Sequence, residues 1–382
     1  MRSHLFARAA GFAAALMILS AGLSIFLFCG VAEAKERPIT VGQRPGEQEF
    51  STQSFAPTYD ARKKAYIEFC ANRAGRTLLG AICAKTLGRE TQVADAEVDY
   101  VEKRLKQRED CADFSAIRIA IALNFDRTLH YLTDEQRKRL ERALLEFKYW
   151  IDEPGPDAMI YWTENHQIMF HSSEYLAGEL FPDEVFTNDG KTGREHVVHA
   201  KALILKWIER RARWGFSEWD SNVYYGEDLP GLIGLANFAA DPEVKLKAAM
   251  TVDLMLIDIG SDIFRGVYGT SHGRAYYDDV TSGRRDAIVT HNRIVWGVGA
   301  FASTDDFFDV PLTVGTYRPP DAVIALGRSF DIPEFLNKER HGIPIEKAPS
   351  YGLNYNDPES IVTFWGMGAY SQREVLNTTL KT

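Results

Sequence analysis

Apolar residues recur at helical spacing along most of the chain. One stripe, whose members lie three or four positions apart, consists of Phe114, Ile117, Ile121 and Phe125. A second consists of Leu140, Ala143, Leu144, Phe147 and Ile151. Thr133 and Gln136 precede this second stripe at the spacing of a capping box, which marks a helix start. The pattern predicts successive amphipathic helices.

Further helices follow toward the C-terminus. One is predicted over 164–180, ended by a proline, and another over 195–213, ended by a glycine. Residues 244–263 are apolar nearly all round, which favours a helix buried in a large helical assembly. Residues 278–301 complete the series. Because β-alternation and hairpin turn signals are scarce before residue 305, the sequence predicts an all-α fold of antiparallel helical hairpins.

The N-terminus has the pattern of an export signal. Arg2 and Arg8 precede an uncharged stretch, and Ala32-Glu33-Ala34 then offers the small-x-small pattern that signal peptidase recognises. Residues 1–34 are therefore predicted to be a signal peptide, or a membrane anchor, since the stretch is long enough to span a bilayer. In either case we expect the rest of the chain to be exported, to a periplasm or out of the cell.

Composition divides the remainder into three parts. Residues 35–58 are polar and rich in Pro, Gly and Gln, which is typical of a linker. Residues 59–305 carry the helical periods and form the predicted domain. Residues 306–382 contain prolines that interrupt every periodic run, so we expect an irregular C-terminal region, compatible with the start of a truncated further domain.

The balance of charge argues against nucleic acid as a partner. The chain has 44 Lys and Arg against 53 Asp and Glu, a net charge of −9, whereas phosphate neutralisation needs a basic surface. Its 16 Tyr and 7 Trp suit stacking on sugars as well as a helical core. Cys70, Cys83 and Cys111 follow the leader, an odd number that allows one disulfide and one free thiol without identifying the pair.

A first group of candidate residues lies at residues 161–167, at a predicted helix N-terminus. With Thr163 as the cap, Asn165 and His166 fall in the first turn, at the positive end of the helix dipole. This position favours an anion and lowers the pKa of an imidazole, which keeps it able to accept a proton. The alternative is that both side chains only satisfy local backbone groups.

A second group is the segment 215–226, predicted to be a loop between two helices. It combines carboxylates, indole and phenol side chains in Glu218, Trp219, Asp220, Tyr224 and Tyr225. Loops of this composition usually face a pocket or solvent. The alternative is a solvated turn with its aromatic residues packed beneath it.

A third group spans residues 265–277, where glycines allow the backbone to approach a ligand. His272, Arg274 and Tyr276 offer a base, a carboxylate partner and a phenolic acid. Gly269-x-Ser271-x-Gly273 matches a nucleophile elbow, but no strand or α/β sheet is predicted around it, so a serine hydrolase is not expected. The basic neighbourhood is extended by Arg284, Arg285 and Arg293.

No metal motif is complete in the sequence. His196-x-x-His199 has the helical spacing of two metal ligands, yet no Glu or Cys completes it in the manner of known zinc motifs. His166 and His171 lie five positions apart and cannot share one helix face. P-loop, dinucleotide-binding and EF-hand patterns do not occur in the sequence. We therefore expect no metal site and no cofactor.

Together, the segments 162–166, 215–226 and 271–274 in an all-helical exported chain resemble the toroidal polysaccharide lyases, the alginate, chondroitin AC and heparinase-like enzymes. The resemblance covers about residues 60–305. It implies an incomplete (α/α) toroid that acts on a uronate-containing polysaccharide or oligosaccharide and needs no metal or organic cofactor.

The resemblance also implies residue roles. Asn165 and His166 match the pair that neutralises the uronate carboxylate, and Tyr225, with Tyr224 in reserve, matches the tyrosine that acts as base or acid. Arg274 or Arg213 would supply the arginine. The remaining substrate-binding candidates are Trp162, Glu164, Glu218, Trp219, His272, Tyr276 and Arg293.

The chemistry explains why these residue types are needed. A proton α to a carboxylate is very weakly acidic, so elimination needs the carboxylate charge cancelled while a base removes the proton and an acid protonates the leaving oxygen. For an acidic chain to bind a polyuronate, its groove must be locally basic, for which the candidates are Arg213, Arg265, Arg274 and Arg293.

Two other functions remain open. An inverting glycoside hydrolase on the same toroid would use two carboxylates, Glu164 with Glu218 or Asp220. A non-catalytic glycan-binding or envelope protein would keep the cleft and its aromatic residues without the chemistry.

Overall fold

The computed structural model describes residues 56–264, 266–281, 283, 286–301, 307, 309–327, 336–369 and 371–381. These ranges are mostly helical, which confirms the predicted all-α class. The strands β1 (Ile263–Phe264) and β2 (Val267–Tyr268) form a short antiparallel pair, in which Ile263 lies opposite Tyr268. No helix within these ranges is long and apolar enough to cross a membrane. The predicted leader 1–34 and nearly all of the predicted linker lie outside the described residues.

The helices in the first two thirds of the described chain are all at least 12 residues long except one. They are α1 (Tyr59–Ala74), α2 (Gly80–Thr86), α3 (Asp95–Gln107), α4 (Ala112–Leu129), α5 (Asp134–Leu145), α6 (Glu164–Leu180), α7 (Gly193–Trp214), α8 (Tyr224–Phe238) and α9 (Pro242–Asp262). The predicted helices over 164–180 and 195–213 correspond to α6 and α7. The stripe predicted as far as Ile151 ends earlier, because α5 stops at Leu145.

Shorter helices follow. They are α10 (Tyr277–Thr281), α11 (Val289–Val295), α12 (Asp309–Val314), α13 (Asp321–Leu326), a 3-10 helix (Ile345–Tyr351), α14 (Pro358–Gly366) and α15 (Arg373–Thr379). The single helix predicted over 278–301 is wrong: α10 and α11 are separate, because Asp286 accepts from the backbone N–H of Ile288 and begins a new helix.

The C-terminal region is more regular than its prolines predict. Pro320 and Pro344 stand immediately before helices, and Pro358 is the first residue of α14. A helix start tolerates proline, because its first N–H groups have no partner within the helix. The prolines therefore delimit short helices. Part of this region forms a second apolar cluster around Trp214, Leu353, Ile361, Phe364 and Val375.

The helices differ in how much of their surface is buried. In α4, α6 and α8 nearly every side is buried, and in α6 each residue from Glu164 to Gly178 is. In α3, α5 and α7 one face is buried and the other is exposed. The helix α9 also has an exposed face, with Leu246 and Met250 on it, so the prediction that it is buried all round is wrong. We call α4, α6 and α8 the inner helices.

The order of contacts follows the order of the chain. The inner helix α4 contacts α6, and α6 contacts α8. At the two ends of this series, α8 contacts α12, α12 contacts α2, and α2 contacts α4. The outer helices α3, α7 and α9 pack mainly on the inner helix next to them in sequence.

Capping and close packing fix the helices locally. The predicted capping box of Thr133 and Gln136 is confirmed, and Thr192 and Glu195 form a second one at the start of α7. Gly231 of α8 lies against α6, where a Cβ atom would meet the Ser172 hydroxyl oxygen at 2.4 Å. Cys70, Cys83 and Cys111 form no disulfide with one another.

The capping box at Thr133 gives a direct test of local stability. Replacing Thr133 by Ala removes the acceptor for the Gln136 backbone N–H, so we expect the free energy of unfolding to fall by about 1 kcal/mol. Thr133→Ser keeps the hydroxyl and is the control. Urea denaturation of both variants measures the difference, and equal midpoints would contradict the role of the cap.

Candidate active site

The start of α6 is held by a buried carboxylate. Glu164 forms an ion pair with Arg211 of α7, and both side chains are buried. The same carboxylate oxygen accepts from the backbone N–H of Ser217 at 2.8 Å and from its hydroxyl at 2.6 Å. Glu164 therefore joins α6, α7 and the segment that follows α7, and its carboxylate does not reach the surface.

His166 forms a buried pair with an aspartate that the sequence analysis missed. Its Nδ1 lies 2.7 Å from Oδ2 of Asp113, in the first turn of α4. On the opposite side of the ring, Nε2 lies 3.7 Å from Oδ1 of Asp110. Burial disfavours the charged imidazole, but the Asp113 carboxylate outweighs it, so the pKa of His166 lies above its usual value. The prediction of a lowered pKa from the helix dipole is thus wrong, because a full charge in contact outweighs a partial one.

An ion pair joins the second candidate segment, 215–226, to the third, 265–277. Arg274 Nη1 donates to Oε1 of Glu218 at 2.9 Å. The guanidinium also lies 4.0 Å from the centroid of the Tyr224 ring, and its Nη2 lies 3.4 Å from the Tyr276 hydroxyl. The hydroxyls of Tyr224 and Tyr276 hydrogen-bond to each other. Arg274 and Tyr276 are 43% and 52% exposed, so this edge of the group faces solvent.

The first segment joins the same group. Glu164, at the start of α6, accepts from Ser217, the residue before Glu218, and the Asn165 backbone and the His166 imidazole lie near enough to the Glu218 carboxylate to lower its pKa. Burial nevertheless raises the pKa of Glu218 above its usual value. Segments 161–167, 215–226 and 265–277 therefore meet around Glu218. The Asn165 side chain is buried, and its amide oxygen accepts from the Thr163 hydroxyl at 2.8 Å.

More buried charge lies below this group. Arg211 is near Asp228 of α8 and Glu218, and burial lowers its pKa to about 10. Asp228 is fully buried, and neither of its carboxyl oxygens has a hydrogen-bond partner among the described residues. Burial holds the pKa of Asp228 well above its usual value.

Tyr224 and Tyr225 lie in different environments. Both belong to the first turn of α8, so the prediction that segment 215–226 is a loop throughout is wrong at its end. Tyr225 is 0% exposed, and its hydroxyl donates to Oδ2 of Asp258 at 3.3 Å. Tyr224 is 8% exposed and contacts the half-exposed Arg274, so the structure favours Tyr224 over Tyr225, which reverses the preference from the sequence.

Asp220 and His272 belong to a neighbouring acidic group. Asp220 accepts from the Tyr268 hydroxyl at 3.0 Å, and its backbone oxygen contacts the His272 ring. Glu339 and His341 of the C-terminal region come within 4.8 Å of it. Asp258 lies beside this group: burial first, then Glu339 and Asp220, raise its pKa to about 8.

The other predicted site residues lie around the group at Glu218 or away from it. Trp162 is half-buried against the C-terminal apolar cluster, and the Trp219 ring lies 5.4 Å from that of His341. Arg213 is exposed and pairs with Glu209. Arg293 donates to the Gly299 oxygen and covers the Phe301 ring. Arg265, Arg284 and Arg285 lie outside the described residues.

Of the four arginines predicted to line a basic groove, Arg274 is the one that lies at the group around Glu218 in the described part of the chain; Arg213 pairs with Glu209, Arg293 binds the Gly299 oxygen, and Arg265 is outside the described residues. The cations of this group are Arg211, Arg274 and His166, while its carboxylates are Asp110, Asp113, Glu164, Glu218 and Asp228. Most of these carboxylates are buried, and so are Arg211 and His166. Arg274 is therefore the exposed cation of this group. A cavity of about 400 Å³ lies elsewhere, lined by Asp126 of α4, Glu141 of α5 and His130 in the turn between these helices.

Comparison with protein-family models, curated proteins and solved structures finds no match for this chain.

The raised pKa of Asp258 makes stability depend on pH. Because the folded protein keeps this proton up to about pH 8 while an unfolded aspartate loses it near pH 4, the folded state binds more protons in between. The free energy of unfolding should therefore fall as pH rises from 4 to 8, and Asp258→Asn should make that fall shallower. Urea denaturation across this range measures it.

The exposed Asp183, replaced by Asn, is the control for this measurement, since its carboxylate is largely in solvent. A pH dependence that is identical in wild type and Asp258→Asn would contradict the assignment.

Proposed function

We propose that this protein is a lyase that cleaves a uronate-containing polysaccharide by β-elimination. The observation that carries the proposal is the group of His166, Glu218, Arg274 and Tyr224, in which an imidazole, an arginine and a phenol from three segments lie together beside an exposed edge. These are the groups that elimination next to a carboxylate needs. The protein would resemble the toroidal lyases in this respect.

We also infer that the helices form an incomplete (α/α) toroid. The contacts of α4 with α6 and of α6 with α8 support an arc of inner helices with outer helices around it, and the short helices α12 and α2 lie between the two ends of this arc. The three segments at the centre all lie at helix ends or in connections, which is where an arc of helices carries a cleft.

In the proposed reaction, Arg274 binds the uronate carboxylate and reduces its negative charge. Glu218 holds the guanidinium from the protein side, and the Tyr224 ring supports it from another direction. Cancelling the carboxylate charge makes the adjacent C–H bond more acidic, because the negative charge that develops in the transition state is then stabilised.

His166 and Tyr224 would move the protons. His166, oriented by Asp113, removes the proton next to the carboxylate, and the electron pair of that bond forms the carbon–carbon double bond as the glycosidic oxygen leaves. Tyr224 gives its proton to that oxygen. Burial raises the pKa of the Tyr224 phenol, although Arg274 opposes this, so the hydroxyl is protonated at neutral pH and suited to act as the acid.

The proposed partner is a uronate polymer outside the cytoplasm. This location rests on the export pattern of residues 1–34.

A hydrolase is the second candidate, because a buried glutamate with a raised pKa, as Glu218 has, is typical of a general acid. The pairing with Glu164 has no support, since Glu164 is buried and bound by Arg211 and Ser217. A glycosidase would therefore need a different second carboxylate.

The test of the proposal is incubation of the full chain with a panel of uronate polymers. A lyase produces an unsaturated uronate, detected by its ultraviolet absorbance, whereas a hydrolase releases reducing ends without it. Binding to a polymer with neither product would favour the glycan-binding alternative and overturn the proposed reaction.

The two adjacent tyrosines provide a matched pair of variants. Tyr224→Phe should lower turnover by about 10²- to 10⁴-fold, since it removes the proposed proton donor. Tyr225→Phe should leave turnover nearly unchanged, because that hydroxyl is buried and donates to Asp258 in the interior. Measured by initial rates of ultraviolet absorbance, the reverse order would contradict the assignment of the acid. A larger loss in Glu218→Gln than in Tyr224→Phe would favour the hydrolase.

The pH profile tests the pair of His166 and Asp113. Because His166 must be neutral to accept a proton, kcat/KM should rise with pH through its pKa, which lies above the usual value. Asp113→Asn removes the charge that raises this pKa, so the rising limb should move to lower pH and the maximal rate should fall. An unchanged limb would mean that another group is the base.

A further inference from the structure

The His196-x-x-His199 motif, which lacks a third ligand in the sequence, acquires carboxylates in the fold. Glu174 of α6 lies beside it, with Oε1 2.8 Å from the Nδ1 atoms of both His196 and His199. Glu153, from the connection before α6, completes a group in which ligand atoms of Glu153, Glu174 and His196 all lie within 4.8 Å of one another. These three residues are all buried.

We propose that Glu153, Glu174 and His196 bind a divalent transition-metal ion, with Zn²⁺ as the ion to test. Two carboxylates and one imidazole form a mixed oxygen and nitrogen donor set, which suits zinc, whereas Ca²⁺ and Mg²⁺ prefer oxygen alone. Ligand atoms that each lie about 2.1 Å from one zinc ion are at most about 4 Å from one another. The ligand atoms of these three residues lie within 4.8 Å of one another, so a movement of about 1 Å brings them to binding distance.

A second observation points to a cation at this place. Oε2 of Glu174 is buried and has no hydrogen-bond partner among the described residues. A carboxylate oxygen in the interior without a donor is costly, because it has lost its water and gained nothing in return. A metal ion coordinated by Oε2 of Glu174 would give this oxygen a partner.

The surroundings of the three side chains match an outer ligand shell. While Nδ1 of His196 faces Glu174, its Nε2 lies 3.3 Å from Oδ1 of Asp189. Metal-bound histidines usually donate their other ring N–H to a carboxylate in this way. Asn188 donates to Oε2 of Glu153 at 2.8 Å, and the ring of Phe186 lies 4.3 Å from that of His196. His199 and Asp189 are thus positioning residues for Glu174 and His196.

The proposed metal site is separate from the candidate active site. Glu174 follows His166 by eight residues on α6, about 12 Å along the helix axis. An ion here would join α6, α7 and the connection that carries Glu153. We therefore expect it to stabilise the fold, and the proposal does not depend on the lyase reaction.

The first experiment uses the wild-type full chain. After dialysis against metal-free buffer, elemental analysis should find about one zinc ion per chain, or the chelator-treated protein should take up one equivalent of added Zn²⁺. Removal of the ion should lower the melting temperature, since an ion that binds only the folded state stabilises it. Failure to bind a stoichiometric equivalent would overturn the proposal without any variant.

The second experiment locates the ion. Glu174→Gln and His196→Gln should abolish stoichiometric binding, and Asp189→Asn, outside the ligand set, should weaken Zn²⁺ affinity by about 10- to 100-fold. His130→Gln, an exposed histidine beyond the end of α4, is the matched control and should bind as wild type does. If Glu174→Gln or His196→Gln does not fold, Asp189→Asn decides. Affinity equal to wild type in Asp189→Asn, or zinc retained by folded Glu174→Gln, would place the ion elsewhere and overturn the assignment.

Discussion

The buried ion pair of Glu164 and Arg211 is the interaction on which the candidate active site depends. It fixes the first residue of α6 against α7, and Ser217 binds the same carboxylate from the segment after α7. Removing either charged partner would leave an uncompensated charge in the interior, at a cost of about 3–5 kcal/mol. The pair joins the segment that carries Asn165 and His166 to the segment that carries Glu218.

The exposure of the candidate residues follows from helix geometry. Successive residues of a helix point about 100° apart, so Tyr224 and Tyr225 at the start of α8 cannot face the same way. Tyr224 contacts the half-exposed Arg274, and Tyr225 contacts Asp258 in the interior. The group around Glu218 therefore presents the Arg274 guanidinium and the Tyr276 side chain to solvent, while Tyr224, His166 and the carboxylates of the inner helices are buried.

Those buried carboxylates reflect the position of α6. An inner helix has no solvent-facing side, so its polar residues must find partners on its neighbours. At its start, Glu164 binds Arg211 and His166 binds Asp113; farther along, Glu174 lies between two histidines of α7. One helix thus carries two separate polar centres, one in its first turn and one past its middle, each of which joins α6 to the helices beside it.

The sequence by itself determined the helical class, the extents of α6 and α7, and the capping box at Thr133, because these depend on residues within a few positions of one another. It also identified the three segments that meet at Glu218. It could not separate Tyr224 from Tyr225, find Asp113 as the partner of His166, or supply Glu174 to the histidine motif. Asp113 and His166 are 53 positions apart, and Glu174 precedes His196 by 22. Such pairings depend on which helices pack together, and so does the burial that shifts the pKa values of the paired side chains. Only the tertiary structure decides which helices pack together.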